Sequence, residues 1–395
     1  MFGGEGRRGC AMKLICDRTA FLDAINIVAS VVATRTPKPQ LQCVKLSAAR
    51  DAKGAGSITL AATDGEMSIR LSTSSVDVHE PGEVLVPADK LRQIVSAEDM
   101  EPTLTIEAGS DTCVIRTPHS KFKVFGFPAA EFPPVPEFPA AGVKAQTFTI
   151  AAPVLATLIT RTVFSTAREN SRYAINGVLL RRKGKKLEMV ATDGRRLALA
   201  RGTAETGSAE DESACIIPTK ALNVVLRLLG ASVEKVRLAI TENQVIFAFD
   251  DEDGGTVLAS NLVEGTFPPY EEVIPKDHDK RATFDVNVLS SAVKKAALLT
   301  NEESRGVRLA FSGGGERKLK LLSRAPEMGE ADVECEMSGY DGDSIEIGFN
   351  PGFITEALKV MNTENVIFEL KAPNKPGLLK SGNDFVYVVM PVNLQ

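Results

Sequence analysis

The chain has 395 residues, 44% hydrophobic and 25% charged, with a formal net charge of −5. That length suits two to four domains with buried cores, and no apolar run approaches the ~18 to 20 residues of a membrane-crossing helix. A net negative chain cannot grip a polyanion over its whole surface, only through a local positive face. The six cysteines (Cys10, Cys16, Cys43, Cys113, Cys215 and Cys335) are scattered without metal-ligand or redox spacing. They read as buried free thiols of a reduced, cytoplasmic protein.

Taken from the start, residues 1–11 are Gly-rich and polar and lack the apolar core of a secretory signal. They read as a loose N-terminal extension ahead of Met12. Gly4-Glu5-Gly6-Arg7-Arg8-Gly9 has the glycine spacing of a dinucleotide loop, but it follows no strand and opens no helix. A helix is predicted over 18–32, where Phe21, Ile25, Val28 and Val32 fall at helical spacing. Ser57-Ile58-Thr59-Leu60 alternates as a strand does. Ala62-Thr63-Asp64-Gly65 follows, and then Val84-Leu85-Val86-Pro87, a strand running into a proline that opens a helix over 87–97. The Pro-rich stretch 127–139 reads as an inter-domain connection.

A second helix of the same kind is predicted over 153–166, with Leu155, Ile159 and Val163 inward. Ala191-Thr192-Asp193-Gly194 and Cys215-Ile216-Ile217-Pro218 come next, the latter opening a helix over 218–229. Residues 244–249 alternate as a strand. The acidic run 250–255 lacks the alternating ligands and distal Glu of a calcium loop and reads as a solvated hairpin tip. Residues 268–281 form a second connection. A helix over 286–299 carries Leu289, Val293 and Ala296, and Phe349-Asn350-Pro351 opens the last helix, over 351–361. Residues 384–389 read as a final strand.

These elements repeat. Phe21, Leu155 and Leu289 are spaced by 134 residues each time. The strand–proline junctions at Pro87, Pro218 and Pro351 are 131 and 133 apart. The two Thr-Asp-Gly sites are 129 apart, and Phe132-Pro133-Pro134 and Phe267-Pro268-Pro269 are 135 apart. The fold class is therefore α+β, three tandem copies of a domain with two helices and antiparallel strands. The copies span 12–139, 140–275 and 276–395.

Charge is distributed unevenly. The six predicted helices hold nine cations (Arg18, Lys90, Arg92, Arg161, Lys220, Arg227, Lys294, Lys295 and Lys359) against Asp23, Asp89 and Glu356. They are net positive by six, which leaves the rest of the chain at −11. Lys and Arg are good helix formers in any case, but an acidic remainder favours a helical face that meets a polyanion. No Arg-rich cluster or aromatic platform points to base reading. Any DNA contact would be to phosphate or solvent-mediated, independent of sequence and sensitive to salt.

Catalytic chemistry is not evident. His79, His119 and His278 form no metal-ligand or triad-like arrangement, and there is no phosphate-binding P-loop. The two Thr-Asp-Gly sites could supply paired carboxylates, but Asp-Gly favours a tight turn. A nucleotide-polymerising enzyme would need a metal-binding carboxylate set. The reading is a non-enzyme without cofactor or metal; the alternative is a multi-domain binding scaffold with no DNA role.

Several stretches resemble the bacterial sliding clamp family, the beta subunit of DNA polymerase III. They are His79-Glu80-Pro81-Gly82, Pro128-Ala129-Ala130-Glu131-Phe132-Pro133, Arg172-Tyr173-Ala174-Ile175-Asn176-Gly177, and the run from Val190 to Ala198. Asn301-Glu302-Glu303-Ser304-Arg305-Gly306-Val307-Arg308-Leu309 and Tyr387-Val388-Val389-Met390-Pro391 complete the set. The resemblance implies a head-to-tail homodimer with the DNA clamp fold. Six domains would form a ring, with twelve helices around duplex DNA and sheet outside. The first domain of one copy would meet the third of the other at Phe122, Leu298 and Leu299. Arg35 and Tyr173 would lie near DNA, beside Arg172 and the helix cations Lys90, Arg92, Lys220, Lys294 and Lys295.

The resemblance also implies a hydrophobic pocket for short peptides of the polymerase III catalytic subunit, the clamp loader, other polymerases and repair proteins. Ile175, Thr192, Gly194, Arg195, Arg196 and Leu197 match it in the second domain, with Pro268 and Val273 in the connection. Val388, Met390, Pro391, Val392 and Leu394 match it in the tail. Apolar side chains and a Met supply an adaptable groove. Departures from the family pattern occur at Glu169, Ala174, Glu271-Glu272, Asn393 and Gln395.

Overall fold

A computed structural model describes residues 12–140, 145–167, 173–207, 211–230, 232–249, 255–300, 306–313, 317–326 and 328–393. In the first repeat β1 (Met12–Asp17) leads into α1 (Arg18–Ala29). The run β2 (Cys43–Arg50), β3 (Gly56–Thr63), β4 (Met67–Thr73), β5 (Val76–Glu80) and β6 (Gly82–Pro87) leads into α2 (Ala88–Ala97). Then come β7 (Thr103–Ala108), β8 (Thr112–Arg116) and β9 (Lys121–Phe125). The second repeat holds β10 (Gln146–Ala151), α3 (Ala152–Thr160), β11 (Gly177–Lys183), β12 (Lys186–Thr192) and β13 (Arg196–Thr203). It continues with β14 (Glu212–Pro218), α4 (Thr219–Leu228), β15 (Lys235–Ile240), β16 (Gln244–Phe249) and β17 (Thr256–Asn261). The third has β18 (Lys280–Asp285), α5 (Val286–Ala297), β19 (Val307–Phe311), β20 (Lys318–Ala325), β21 (Gly329–Glu336) and β22 (Gly339–Asp341). It ends with β23 (Ile345–Phe349), α6 (Pro351–Lys359), β24 (Asn365–Leu370), β25 (Gly377–Ser381) and β26 (Phe385–Val389).

Local chemistry explains these boundaries. Asp17 caps α1 by accepting from Ala20 N at 2.7 Å, Asp285 caps α5 through Asn287 N and Val288 N, and Asn350 caps α6 through Gly352 N. Each cap satisfies amides that the first helical turn leaves without partners. Pro351 sits in the first turn of α6, as expected. Pro87 and Pro218 instead end β6 and β14, so α2 and α4 begin one residue later than predicted. The helix over 153–166 is shorter than predicted: α3 stops at Thr160, and a 3₁₀ turn follows at Val163–Ser165. Thr162 Oγ1 donates back to Leu158 O at 2.8 Å, a side-chain bond that competes with helix continuation. α1 and α5 likewise stop short, at Ala29 and Ala297.

The chain falls into two compact units. One comprises residues up to 153 together with 220–262; the other comprises 154–219 together with 263 onward. In the first, a five-stranded sheet runs β5-β1-β7-β8-β9 and an eight-stranded sheet runs β10-β15-β16-β17-β4-β3-β2-β6. The eight-stranded sheet crosses repeats where β4 pairs with β17, Ile69 opposite Leu258. In the second unit, a nine-stranded sheet runs β14-β11-β12-β13-β26-β25-β24-β18-β22, and a four-stranded sheet runs β21-β20-β19-β23. Here β13 pairs with β26, Leu197 opposite Val388. Compactness therefore divides the second repeat, because each half is hydrogen-bonded to a different neighbouring repeat.

The two Thr-Asp-Gly sites are the same turn built twice. Thr63 Oγ1 donates to Met67 O, and Thr192 Oγ1 donates to Arg196 O. Asp64 accepts from Glu66 N and Met67 N, and Asp193 from Arg195 N and Arg196 N. Gly65 and Gly194 adopt φ of +95° and +83°, a region that favours glycine. Both carboxylates are thus occupied with turn amides. The acidic run 250–254 lies outside the described residues.

Cys16, Cys43, Cys113, Cys215 and Cys335 are buried and free. Burial pushes the thiols of Cys16, Cys43 and Cys215 up to about 12, and that of Cys335 up to about 11. A raised thiol pKa favours the fold below the unfolded value of about 8.5, and that contribution is lost as pH climbs towards the folded values. In a Cys10→Ser form, a thiol-specific chromogenic reagent at pH 8 is expected to leave the native protein unlabelled. Denaturant should then release all five thiols. Fast labelling without denaturant would contradict the burial.

Candidate functional site

The sequence-predicted pocket residues converge in the second unit, at the ladder between β13 and β26. Leu197 and Val388 face each other and form its floor, in a buried cluster with Val190, Leu199, Tyr270 and Leu378. Thr192 and Ile175 are also buried. Ala174 N donates to Thr266 O, which brings the segment of Ile175 beside the connection that carries Pro268. Beyond β26 the tail stays attached: Met390 N donates to Arg195 O and Val392 N to Gly348 O, both at 2.9 Å. Gly194 and Arg195 are exposed, and Pro268, Pro391 and Val392 are half-buried. Val273 and Met390 keep 45% and 39% of their surface exposed, although both are apolar. Leu394 lies outside the described residues.

Arg196 has a different setting from the rest of the set. Its guanidinium ion-pairs with Asp193 at 2.9 Å and with Glu356 of α6, and donates to Phe164 O at 2.8 Å. It lies over the Phe353 ring at 4.5 Å from the centroid. Tyr387 OH donates to Phe353 O, and burial pushes that phenol up. With every face engaged, Arg196 braces the ladder against α6 rather than presenting donors to solvent.

The predicted cationic helix face is only partly available. Lys90 and Arg92 project from α2 and Lys294 and Lys295 from α5, all exposed; Arg35 is exposed in the loop after α1, and so is Tyr173. Lys90 Nζ donates to Gln93 Oε1, and Arg92 lies 3.8 Å from Asp89. Lys220 is tied to Asp64 of the first Thr-Asp-Gly turn, so its charge is already met. Arg161 falls outside α3 and is 3% exposed; its guanidinium donates to Asp384 at 2.8 Å and to Asn362 at 2.6 Å. It does not belong to a solvent-facing set. Arg172 lies outside the described residues. Among the described residues, no group of His, Cys, Asp and Glu side chains could hold a metal ion.

The predicted dimer residues sit at sheet edges and helix ends. Leu298 caps α5 and is 74% exposed, Leu299 is half-buried, and Phe122 is half-buried on β9. Sequence reasoning missed Phe125, which is 73% exposed on the same edge strand. Alternation along β9 placed it on the face with Lys121 and Lys123, a signal readable only once the strand is known to be an edge.

Three family models match in chain order. The DNA polymerase III beta subunit N-terminal domain matches residues 12–136, the central domain 149–269 and the C-terminal domain 271–393. A beta sliding clamp of Pseudomonas aeruginosa is 34% identical over 97% of this chain and 100% of its own length. That of Escherichia coli K12 is 30% identical with the same coverage. A solved sliding clamp from Pseudomonas aeruginosa, bound to griselimycin, superposes with a TM-score of 0.85 at 33% identity, covering 98% of this chain and all of that one. A Bacillus subtilis clamp structure shares the fold with a TM-score of 0.87 at 24% identity, covering 98% of this chain and all of that one. Three tandem matches over almost the whole chain, with full-length relatives, place the chain in the DNA polymerase III beta subunit family.

Proposed function

We propose that the chain works as a sliding clamp: a cytoplasmic, non-catalytic homodimer that encircles duplex DNA and confers processivity on DNA polymerase III. The domain limits proposed for it are 12–139, 140–275 and 276–395. The observation that carries this reading is a pair of matching edges. By strand order β4, β13 and β21 hold the same place in their repeats, as do β17, β26 and β9. β4 pairs with β17 and β13 with β26, whereas β21 and β9 end their sheets, each with one neighbour, β20 and β8, and no second partner among the described strands. A second copy supplies the missing β9 to each β21, and head-to-tail pairing of this kind closes into a ring. Charge adds only a little: on β21 Glu330 pairs with Arg324 and Glu334 with Lys318 and Lys320, which leaves Asp332 and Glu336 on that face for Lys121 and Lys123 of β9.

Duplex DNA held inside a ring is retained by topology. Arg35, Tyr173, Arg172 and the exposed cations of α2 and α5 then need only weak phosphate contacts, which permit sliding. Lys220 contributes to the field more than to direct contact, given its pair with Asp64. The polymerase III catalytic subunit, the clamp loader and other polymerases and repair proteins dock by short peptides in the pocket of Ile175, Leu197, Val273, Val388 and Met390. One groove per chain makes these partners compete. Tethering a polymerase raises its effective concentration at the primer by on the order of a hundredfold or more. Primer extension on a primed circle, with polymerase and clamp loader, should therefore shift from short to long products when the chain is added. The chain alone, with template, primer and nucleotides, should make none. Unchanged product length with the chain present would refute this function.

A further inference from the structure

The described cysteines are buried, and burial pushes the thiols of Cys16, Cys43, Cys215 and Cys335 well above neutral pH. Buried, protonated thiols react poorly with oxidants. Of the described methionines, Met12, Met67, Met189, Met337 and Met361 are buried as well, whereas Met100, Met328 and Met390 expose their thioethers. Met100 follows α2 and Met328 lies between β20 and β21. Met390 alone of the three lines a cavity of about 320 Å³, between the connection that precedes β18 and the turn that joins β24 to β25. Val273, Pro275, Leu370 and Pro376 complete its apolar wall. Met390 N donates to Arg195 O, so the residue is fixed where β26 ends while 39% of its surface stays open. The exposed sulfur of the partner pocket is therefore a thioether, held in place and open to solvent.

We propose that Met390 is a modification site: a peroxide oxidises its thioether to the sulfoxide, and the sulfoxide weakens partner docking. The inference rests on the peptide-pocket reading above. With hydrogen peroxide the O–O bond breaks and one oxygen bonds to the sulfur, which gives up two electrons. The other oxygen leaves as water. The flexible apolar side chain becomes a polar one. A Leu-Phe pair seated over Val273 and Met390 then buries an S–O oxygen that the intact wall lacks, and burying a polar atom without a donor opposes docking. The expected loss of affinity is about tenfold, smaller than that from deleting the whole tail. The change is reversible, because sulfoxide reductases restore the thioether.

The test uses the full chain carrying Cys10→Ser, Met100→Leu and Met328→Leu, in which Met390 is the one exposed sulfur among the described residues. Hydrogen peroxide is applied and then removed with catalase. Mass spectrometry maps the added oxygen and circular dichroism verifies the fold. Fluorescence anisotropy gives Kd for a labelled, methionine-free peptide with a Gln and a Leu-Phe pair. The expected results are one oxygen on Met390, a Kd about tenfold higher, and recovery after treatment with both epimer-specific methionine sulfoxide reductases. Saturating peptide present during the peroxide step should slow the oxidation of Met390. A Met390 that resists peroxide, a Kd that its oxidation leaves unchanged, or a rise in Kd that the reductases do not reverse overturns the inference while leaving the pocket intact. Failure of the untreated protein to bind the peptide overturns the pocket reading and this inference with it.

Discussion

Replacing both Leu298 and Leu299 with lysine is expected to convert the dimer to monomers. Leu298 stands almost free at the end of α5, which is costly surface for an apolar side chain unless something covers it. Within the same unit α5 packs on β20 and β21, so the leucine lies close to the edge proposed to receive β9 of a second copy. Phe125, equally exposed on β9, is the natural apolar counterpart. Burying an unpaired ammonium at such a contact costs on the order of 2 to 5 kcal/mol per site. Lys121 and Lys123 on the incoming strand add like-charge repulsion. At about 1.4 kcal/mol per tenfold, the dimer weakens by roughly a thousandfold or more. Native mass spectrometry reads the outcome, with circular dichroism to verify the fold. A double-lysine protein that keeps the dimer mass would rule out this interface.

Deleting Met390 to Gln395 is expected to abolish peptide binding while the protein stays folded. β26 ends at Val389, so the ladder with β13 and its buried floor of Leu197 and Val388 survive the cut. What is lost is the tail that Met390 N and Val392 N attach to Arg195 O and Gly348 O, and with it the exposed Met390 thioether, which lines the same cavity as Val273. A short peptide carrying a Gln and a Leu-Phe pair should bind the intact chain at micromolar strength, roughly −8 kcal/mol. Removing one apolar wall of a pocket this shallow should raise Kd by about a hundredfold or more, beyond detection in a standard titration. If the truncated dimer still binds the peptide and still supports processive synthesis, the pocket lies elsewhere.

The repeat was legible because its markers are local. A strand running into proline, a Thr-Asp-Gly turn and an amphipathic helix each depend on a few adjacent residues, and the shared spacing multiplied their weight. The three-copy architecture followed. What was not legible depends on partners distant in the chain. Nothing near Ile69 announces that Leu258 will lie opposite it, nor near Leu197 that Val388 will. Those two ladders bind halves of the second repeat to different neighbours, so compact units do not coincide with sequence repeats.

The fates of individual cations were hidden for the same reason. Arg161, Arg196 and Lys220 look alike in sequence to Lys90 or Lys294. Asp384, Glu356 and Asp64, which occupy them, lie 223, 160 and 156 residues away. Charge counting along helices therefore overstated the free positive face. Phe125 was missed because an exposed aromatic is informative only on a strand known to be an edge.

Topological retention on DNA is the central claim, and one measurement addresses it directly. The chain is loaded onto nicked circular DNA with clamp loader and ATP, and freed of unbound protein by gel filtration. The circle is then cut once with a restriction enzyme. The account predicts long retention on the intact circle, weak and salt-sensitive binding to linear duplex, and prompt release on linearisation. Equal retention on the circle and on linear DNA with free ends would contradict it.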